Sequence, residues 1–308
     1  MLFGQDIRVA KLPANQPKAQ PHAWGERLKL MLMLGPALAV ILFLFIGGLG
    51  LALLQSLGYL PFIGRTDLSV EAYRTILSRE EFYRSLLLSL WISLASTGLA
   101  TGLAVGSALV LRQHFRGRRW VMFIFQLNIP IPHLVGAVGI LFLFSQSGFL
   151  ARLAYLAHLI DAPGDFPALV FDRYAIGIIL EYLWKSTCFM GVIVLAVMQS
   201  VGEDYEQAAQ TLGANRWQRL RYVLLPLIMP GILSASILVF AFTFGAFEVP
   251  LLLGQRYPSA LPVLAYRYYT DVDLNFRPEA MAVSVIISAF VTLLIFVYVR
   301  VSRGISRR

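Results

Sequence analysis

Cysteine and charge are both scarce in this 308-residue chain. It has one cysteine, Cys188, and only 14% of its residues are charged, where a soluble domain carries about 25%. A lone cysteine excludes a disulfide scaffold, and a content this apolar excludes a disordered or soluble chain. The four histidines are too scattered for ordinary ligand spacing, so no metal site is expected. The sequence contains no H-E-x-x-H, G-x-S-x-G or intramembrane G-x-G-D pattern, and no catalytic residue is assigned. A P-loop needs Gly-Lys followed by Ser or Thr. The four lysines, Lys11, Lys18, Lys29 and Lys185, follow Ala, Pro, Leu and Trp. Any nucleotide energy must therefore come from another subunit.

What is present is apolar length. Hydrophobic residues make up 58% of the chain and the mean hydropathy is +0.70. Six segments are nearly free of charge and long enough for the roughly 20 residues a crossing needs. They are Leu30–Leu54, Ser85–Leu111, Trp120–Ser145, Tyr174–Gln199, Gly231–Leu253 and Ala280–Val299. The expected fold is an all-α integral membrane protein with six transmembrane helices spanning 30–299, in a lipid bilayer. The first segment is read as a retained span because it is longer than a signal-peptide core.

The net charge of +9 is a matter of topology, not of nucleic-acid binding. With the N-terminus inside, the tail 1–29, the loops 112–119 and 200–230, and the tail 300–308 hold sixteen Lys and Arg, against nine in the outer loops. Acidic residues run the other way, five inside and ten outside. This bias puts both termini in the cytoplasm. In the outer loops, Val70–Arg84 and Phe149–Ile160 have helical apolar spacing. Asp161–Pro167 is a turn cluster that ends the second.

Several span features admit a structural and a functional reading. Gly98, Gly102 and Gly106 recur every four residues, a stripe for close helix packing or for sliding. Pro130 and Pro132 interrupt the third segment beside Asn128 and His133, and a kinked polar stretch is either a braced bend or the wall of a pathway. Glu181 and Lys185 stand four apart in the fourth segment and can pair with each other. Glu248 is the other span acid, near the outer end of the fifth. Intramembrane charge points by default to a solute pathway. Asn128, His133, Glu181, Lys185 and Glu248 are its candidates.

The loop 200–230 is the most specific feature. Tyr205–Leu212 reads as a short helix with acids at its start, ended by Gly213. Asn215 is placed to cap a second helix, Arg216–Leu225, which Pro226 should interrupt. Gln207-Ala208-Ala209 is followed by three residues, Gly213, nine residues, and Val223-Leu224-Leu225-Pro226. This resembles the EAA loop of the permeases of binding-protein-dependent ABC importers, with Gln207 at the family's glutamate position, Glu206 one residue earlier, and Val223 for isoleucine. The resemblance extends over residues 68–300. Leu68–Ser96 and Phe242–Gly254 look most like the polyamine, iron(III) and organic-solute group.

The resemblance implies a type I importer permease. Its partners would be a second permease, identical or similar, two cytoplasmic ATPases that bind ATP and Mg²⁺, and an external solute-binding protein. It would lie in the inner membrane of a prokaryote and bind no cofactor of its own. Glu206, Gln207, Ala208, Ala209, Gly213, Leu225 and Pro226 would form the ATPase-coupling loop. A polyamine-like cation is the expected solute, with a sugar or sugar phosphate as the alternative. An integral-membrane enzyme or a passive channel is the reading from another class.

Overall fold

The computed structural model describes residues 23–202 and 204–305. Of the tails expected at 1–29 and 300–308, residues 1–22 and 306–308 lie outside the described part. Among the described residues there are helices and turns but no strand ladder. The described residues fall into two separate units, divided between Leu51 and Ala52. The first holds most of α1 (Ala23–Ser56), whose segment Leu28–Ser56 has a mean hydropathy of 2.8.

In the second unit, α2 (Glu71–Ser78) leads into α3 (Glu80–Leu111), and α4 (Arg118–Gln126) is separated from α5 (His133–Phe144) by the proline segment. Then come α6 (Phe149–Leu156), α7 (Ile176–Val201), α8 (Asp204–Thr211) and α9 (Arg216–Arg219). A π-helical turn at Leu220–Leu224 joins α9 to α10 (Leu225–Gly245). It is followed by α11 (Glu248–Leu253), α12 (Leu261–Tyr269) and α13 (Arg277–Ile305). Among the described residues, six segments are long and apolar enough to cross a membrane.

Three span boundaries differ from expectation, each for a local reason. The second span begins at Glu80, because the helical pattern of the expected outer element Val70–Arg84 is divided at Arg79, which is extended with ψ 128°. The third is not the continuous helix Trp120–Ser145. Pro130 and Pro132 break it, and the apolar stretch His133–Leu156 takes the crossing length. The fifth is Arg216–Gly245 and ends before Ala246, so Glu248 lies in the separate helix α11.

The core is built on α3, α7 and α10. Ala100, Ala104 and Ala108 are fully buried on one face of α3, against Met190 and Val194 of α7 and Ala235, Val239 and Ile228 of α10. These alanines, not the glycines, make the close helix contact. Gly98, Gly102 and Gly106 point away from that face, and a Cβ at any of them would meet nothing within 4 Å. Gly191 does take a close approach, since a Cβ there would lie 2.7 Å from the Phe125 ring.

A polar network fixes the end of the unit near α2 and α12. Arg79 pairs with Glu279 at 2.9 Å and donates to the Tyr268 hydroxyl at 3.1 Å. Tyr268 donates in turn to Glu81 at 3.1 Å, which also pairs with Arg267. Burial raises the Tyr268 phenol above its ordinary pKa, while the Arg79 hydrogen bond works against that shift.

Candidate functional site

Two constellations carry the expected residues. The first is the break in the third span. A proline has no N–H, so Pro132 cannot serve the Asn128 carbonyl, which keeps one backbone bond, from Ile131 N at 3.2 Å, and has a lone pair to spare, while the carbonyls of Ile129 and Ile131 precede the first turn of α5. Lys185 of α7 fills this need. Its Nζ donates to Asn128 O at 2.7 Å, to Ile129 O at 3.5 Å and to Ile131 O. The Asn128 side chain donates to Trp184 O at 2.8 Å and to the Cys188 thiol at 3.3 Å. Cys188 is buried, as its apolar surroundings suggest.

The expected Glu181–Lys185 pair is not formed. Glu181 is fully buried, and its carboxylate meets His133 Nδ1 at 3.0 Å. The i,i+4 rule considers only one helix, whereas the nearest unpaired groups here belong to the neighbouring span. Gly136 makes the approach of α5 to α7 possible, because a Cβ there would lie 2.9 Å from Glu181 Oε1 and 3.1 Å from the Trp184 ring. His133 also lies against Phe242, with ring centroids 4.8 Å apart.

Ile129, Ile131, His133, Lys185, Ser186, Phe189 and Phe242 line a cleft of about 340 Å³. Asn128, His133, Glu181 and Lys185 are thus brought together. Glu248 is not among the lining residues. It is exposed on the first turn of α11. The sequence reading missed Gly136, whose only signal was its place three residues after His133, and the role of Phe242, which no spacing marked.

The second constellation is the loop 200–230. Glu206, on α8, forms an ion pair with Arg112 at the end of α3, 2.7 Å apart. Gln207 and Ala208 are exposed and Ala209 is half-buried. Gly213 has φ +85°, a left-handed conformation that closes α8. Asn215 accepts from Gln218 N at 2.9 Å and Gln218 accepts from Asn215 N at 2.8 Å, a reciprocal cap. Gln210 on α8 accepts from Arg219 on α9 at 2.7 Å. Tyr205, Leu212 and Trp217 are left exposed, at 59, 88 and 65%.

Pro226 does not interrupt the second helix of the loop. The Leu225 N–H donates to Leu220 O, five residues back, and this wider turn admits the proline in the first turn of α10. Leu225 is half-buried and Pro226 exposed.

Exchanging the charges at the Arg112–Glu206 pair tests whether it fixes α8. Arg112→Glu and Glu206→Arg should each lower the thermal stability of the detergent-solubilised chain, by no more than about 1 kcal/mol for a partly exposed pair. The double variant should recover most of that loss.

Six segments of membrane-crossing length among the described residues, with a capped helical loop between the fourth and fifth, define an integral membrane protein. The family model of the binding-protein-dependent transport system inner membrane component matches residues 98–308, and the chain belongs to that family, as a permease subunit of an ABC importer. It is 26% identical over 283 residues to the trehalose/maltose transport system permease protein MalF of Thermococcus litoralis, covering 88% of this chain and 92% of that one. It is 32% identical over 218 residues to the molybdenum transport system permease protein ModB of Mycobacterium tuberculosis, covering 68% and 76%. Among solved structures it is similar to a bacterial ABC transporter involved in the import of the acidic polysaccharide alginate. There the TM-score is 0.74 at 20% identity, covering 91% of this chain and 98% of that chain, which shows the fold.

Proposed function

We propose that the cleft beside the broken third span is part of the route of a sugar or sugar phosphate, and that the loop 200–230 docks on an ATPase. The observation that supports this solute class is the cleft's chemistry. Its walls present the His133 imidazole, the Ser186 hydroxyl and the Phe189 and Phe242 rings, and no carboxylate is among the lining residues. The buried Glu181 is occupied by His133. A polyamine would need an accessible acid, and the acid expected to supply it, Glu248, lies elsewhere. A trehalose/maltose permease among the relatives agrees with this reading.

The exposed Tyr205, Leu212 and Trp217 around the Gly213 turn suit insertion of α8 into a groove of an ATPase. Glu206, Gln207, Ala208, Ala209, Gly213, Leu225 and Pro226 would form this coupling element, and Glu206 rather than Gln207 would anchor it to the spans. ATP and Mg²⁺ would be held by two such ATPases, a second permease would complete the pathway, and a solute-binding protein would deliver from the outer side. In this arrangement the loop, and by the charge bias both termini, would lie on the cytoplasmic side of the inner membrane.

The test is ATP-dependent uptake by the complex reconstituted with its ATPases and binding protein, using radiolabelled trehalose, glucose 6-phosphate and spermidine. Uptake of one of the first two is expected, unchanged within about twofold by Glu248→Gln. Spermidine uptake that Glu248→Gln abolishes would restore the polyamine reading.

A further inference from the structure

Glu181, Trp184, Lys185 and Cys188 recur at three- and four-residue spacing, so they form one stripe along α7. Every member of the stripe holds the interrupted segment 127–132 or His133 just after it. The Asn128 side chain is held by Trp184 O and the Cys188 thiol, the backbone carbonyls are held by Lys185, and His133 is held by Glu181. An ammonium has three N–H donors, and the carbonyls of Asn128, Ile129 and Ile131 use all of them. A lysine serving only to balance charge would face the carboxylate one turn away. Lys185 faces the broken backbone instead, and it is 7% exposed.

We propose that Lys185 is a positioning residue that makes segment 127–132 move as one body with α7, so that displacement of the coupling loop reshapes the cleft. This rests on the reading of 200–230 as the ATPase-docking loop. Helix α7 ends at Val201, sixteen residues beyond Lys185, about 24 Å along the axis, and α8 begins three residues later. A continuous helix carries a shift or rotation over that length. Its two prolines remove two helical donors, so the segment keeps only its end bonds to α4 and α5, Leu127 N to Phe123 O, Ile129 N to Gln126 O and Gly136 N to Pro132 O, and Lys185 adds the grip from α7. Ile129, Ile131 and His133 are cleft walls, so their displacement changes the space a solute meets.

The test uses the chain assembled with its ATPases in nanodiscs. Spin labels are placed through Leu127→Cys and Phe189→Cys, both at exposed positions, and a separate label through Leu212→Cys reports docking. In the otherwise native chain, the 127–189 distance should shift by less than about 2 Å between the nucleotide-free and ATP–vanadate states. The Leu212 label should lose mobility on ATPase binding. Lys185→Met should broaden the 127–189 distribution in both states by about twofold or more, and Lys185→Arg should restore the narrow distribution.

A larger shift in the native chain, or a Lys185→Met distribution like the native one, overturns the proposal. If Lys185→Met does not assemble, the native distances still decide the one-body claim, and Asn128→Leu, which removes only the side-chain grip, should give intermediate broadening. A Leu212 label indifferent to the ATPase would overturn the docking reading instead.

Discussion

Gly213→Val is expected to abolish ATP-dependent uptake while leaving the six spans folded. The residue sits at φ +85°, where a β-branched side chain is a genuine outlier and even an ordinary L-residue costs about 1–2 kcal/mol. Nothing lies within 4 Å of the position a Cβ would take, so the effect is purely one of backbone. The strain is relieved by opening the turn between α8 and α9. That opening separates Gln210 from Arg219 and changes how Tyr205 and Leu212 stand relative to Trp217. ATPase association in a pull-down should fall by at least about tenfold, equivalent to about 1.4 kcal/mol. Gly213→Asn should be milder, because asparagine tolerates the left-handed region. Full uptake with normal ATPase binding in the valine variant would show that the turn has no part in coupling.

Gly136→Leu is expected to be the most damaging change in the cleft region. A Cβ alone would already be 2.9 Å from the Glu181 carboxylate. A leucine forces α5 away from α7 and separates His133 from Glu181. Overpacking costs about 1–3 kcal/mol, and a fully buried carboxylate deprived of its partner adds to that. The detergent-solubilised chain should unfold several degrees lower, and uptake should be lost even where the complex assembles. Gly102→Leu provides the contrast. Its site is open, and the thermal stability of the isolated chain should be unchanged. Equal destabilisation by the two variants would remove the packing argument for Gly136.

The spans were legible in the sequence because apolar runs of this length have few other outcomes, and the two short helices of the loop 200–230 were legible because Gly213 and Asn215 mark the turn between them. What was not legible was where the polar groups inside the membrane point. Glu181 and Lys185 look like a pair when α7 is read alone. They part because two prolines on another span leave carbonyls for the ammonium, and because Gly136 lets His133 reach the carboxylate. Each is a contact between distant parts of the chain, invisible to a periodicity. The glycine stripe misled for the same reason. A repeat of four gives one helix face but does not say whether that face or the alanine face two residues on meets α7. Pro226 misled because a proline announces a missing donor but not the wider turn that accommodates it.

That wider turn has a consequence for rotational phase. The π-helical segment Leu220–Leu224 carries one residue more than an α-helical turn, so the residues before it are rotated by about 100° relative to a helix wound straight back from α10. A heptad counted backward from the buried face of α10 therefore goes out of step at Leu224, and Trp217 and Arg219 occupy azimuths that this count does not assign them. Arg219 meets Gln210 on α8 only at the azimuth the extra residue sets. The direction in which the loop 200–230 faces is thus decided by five residues at its junction with α10.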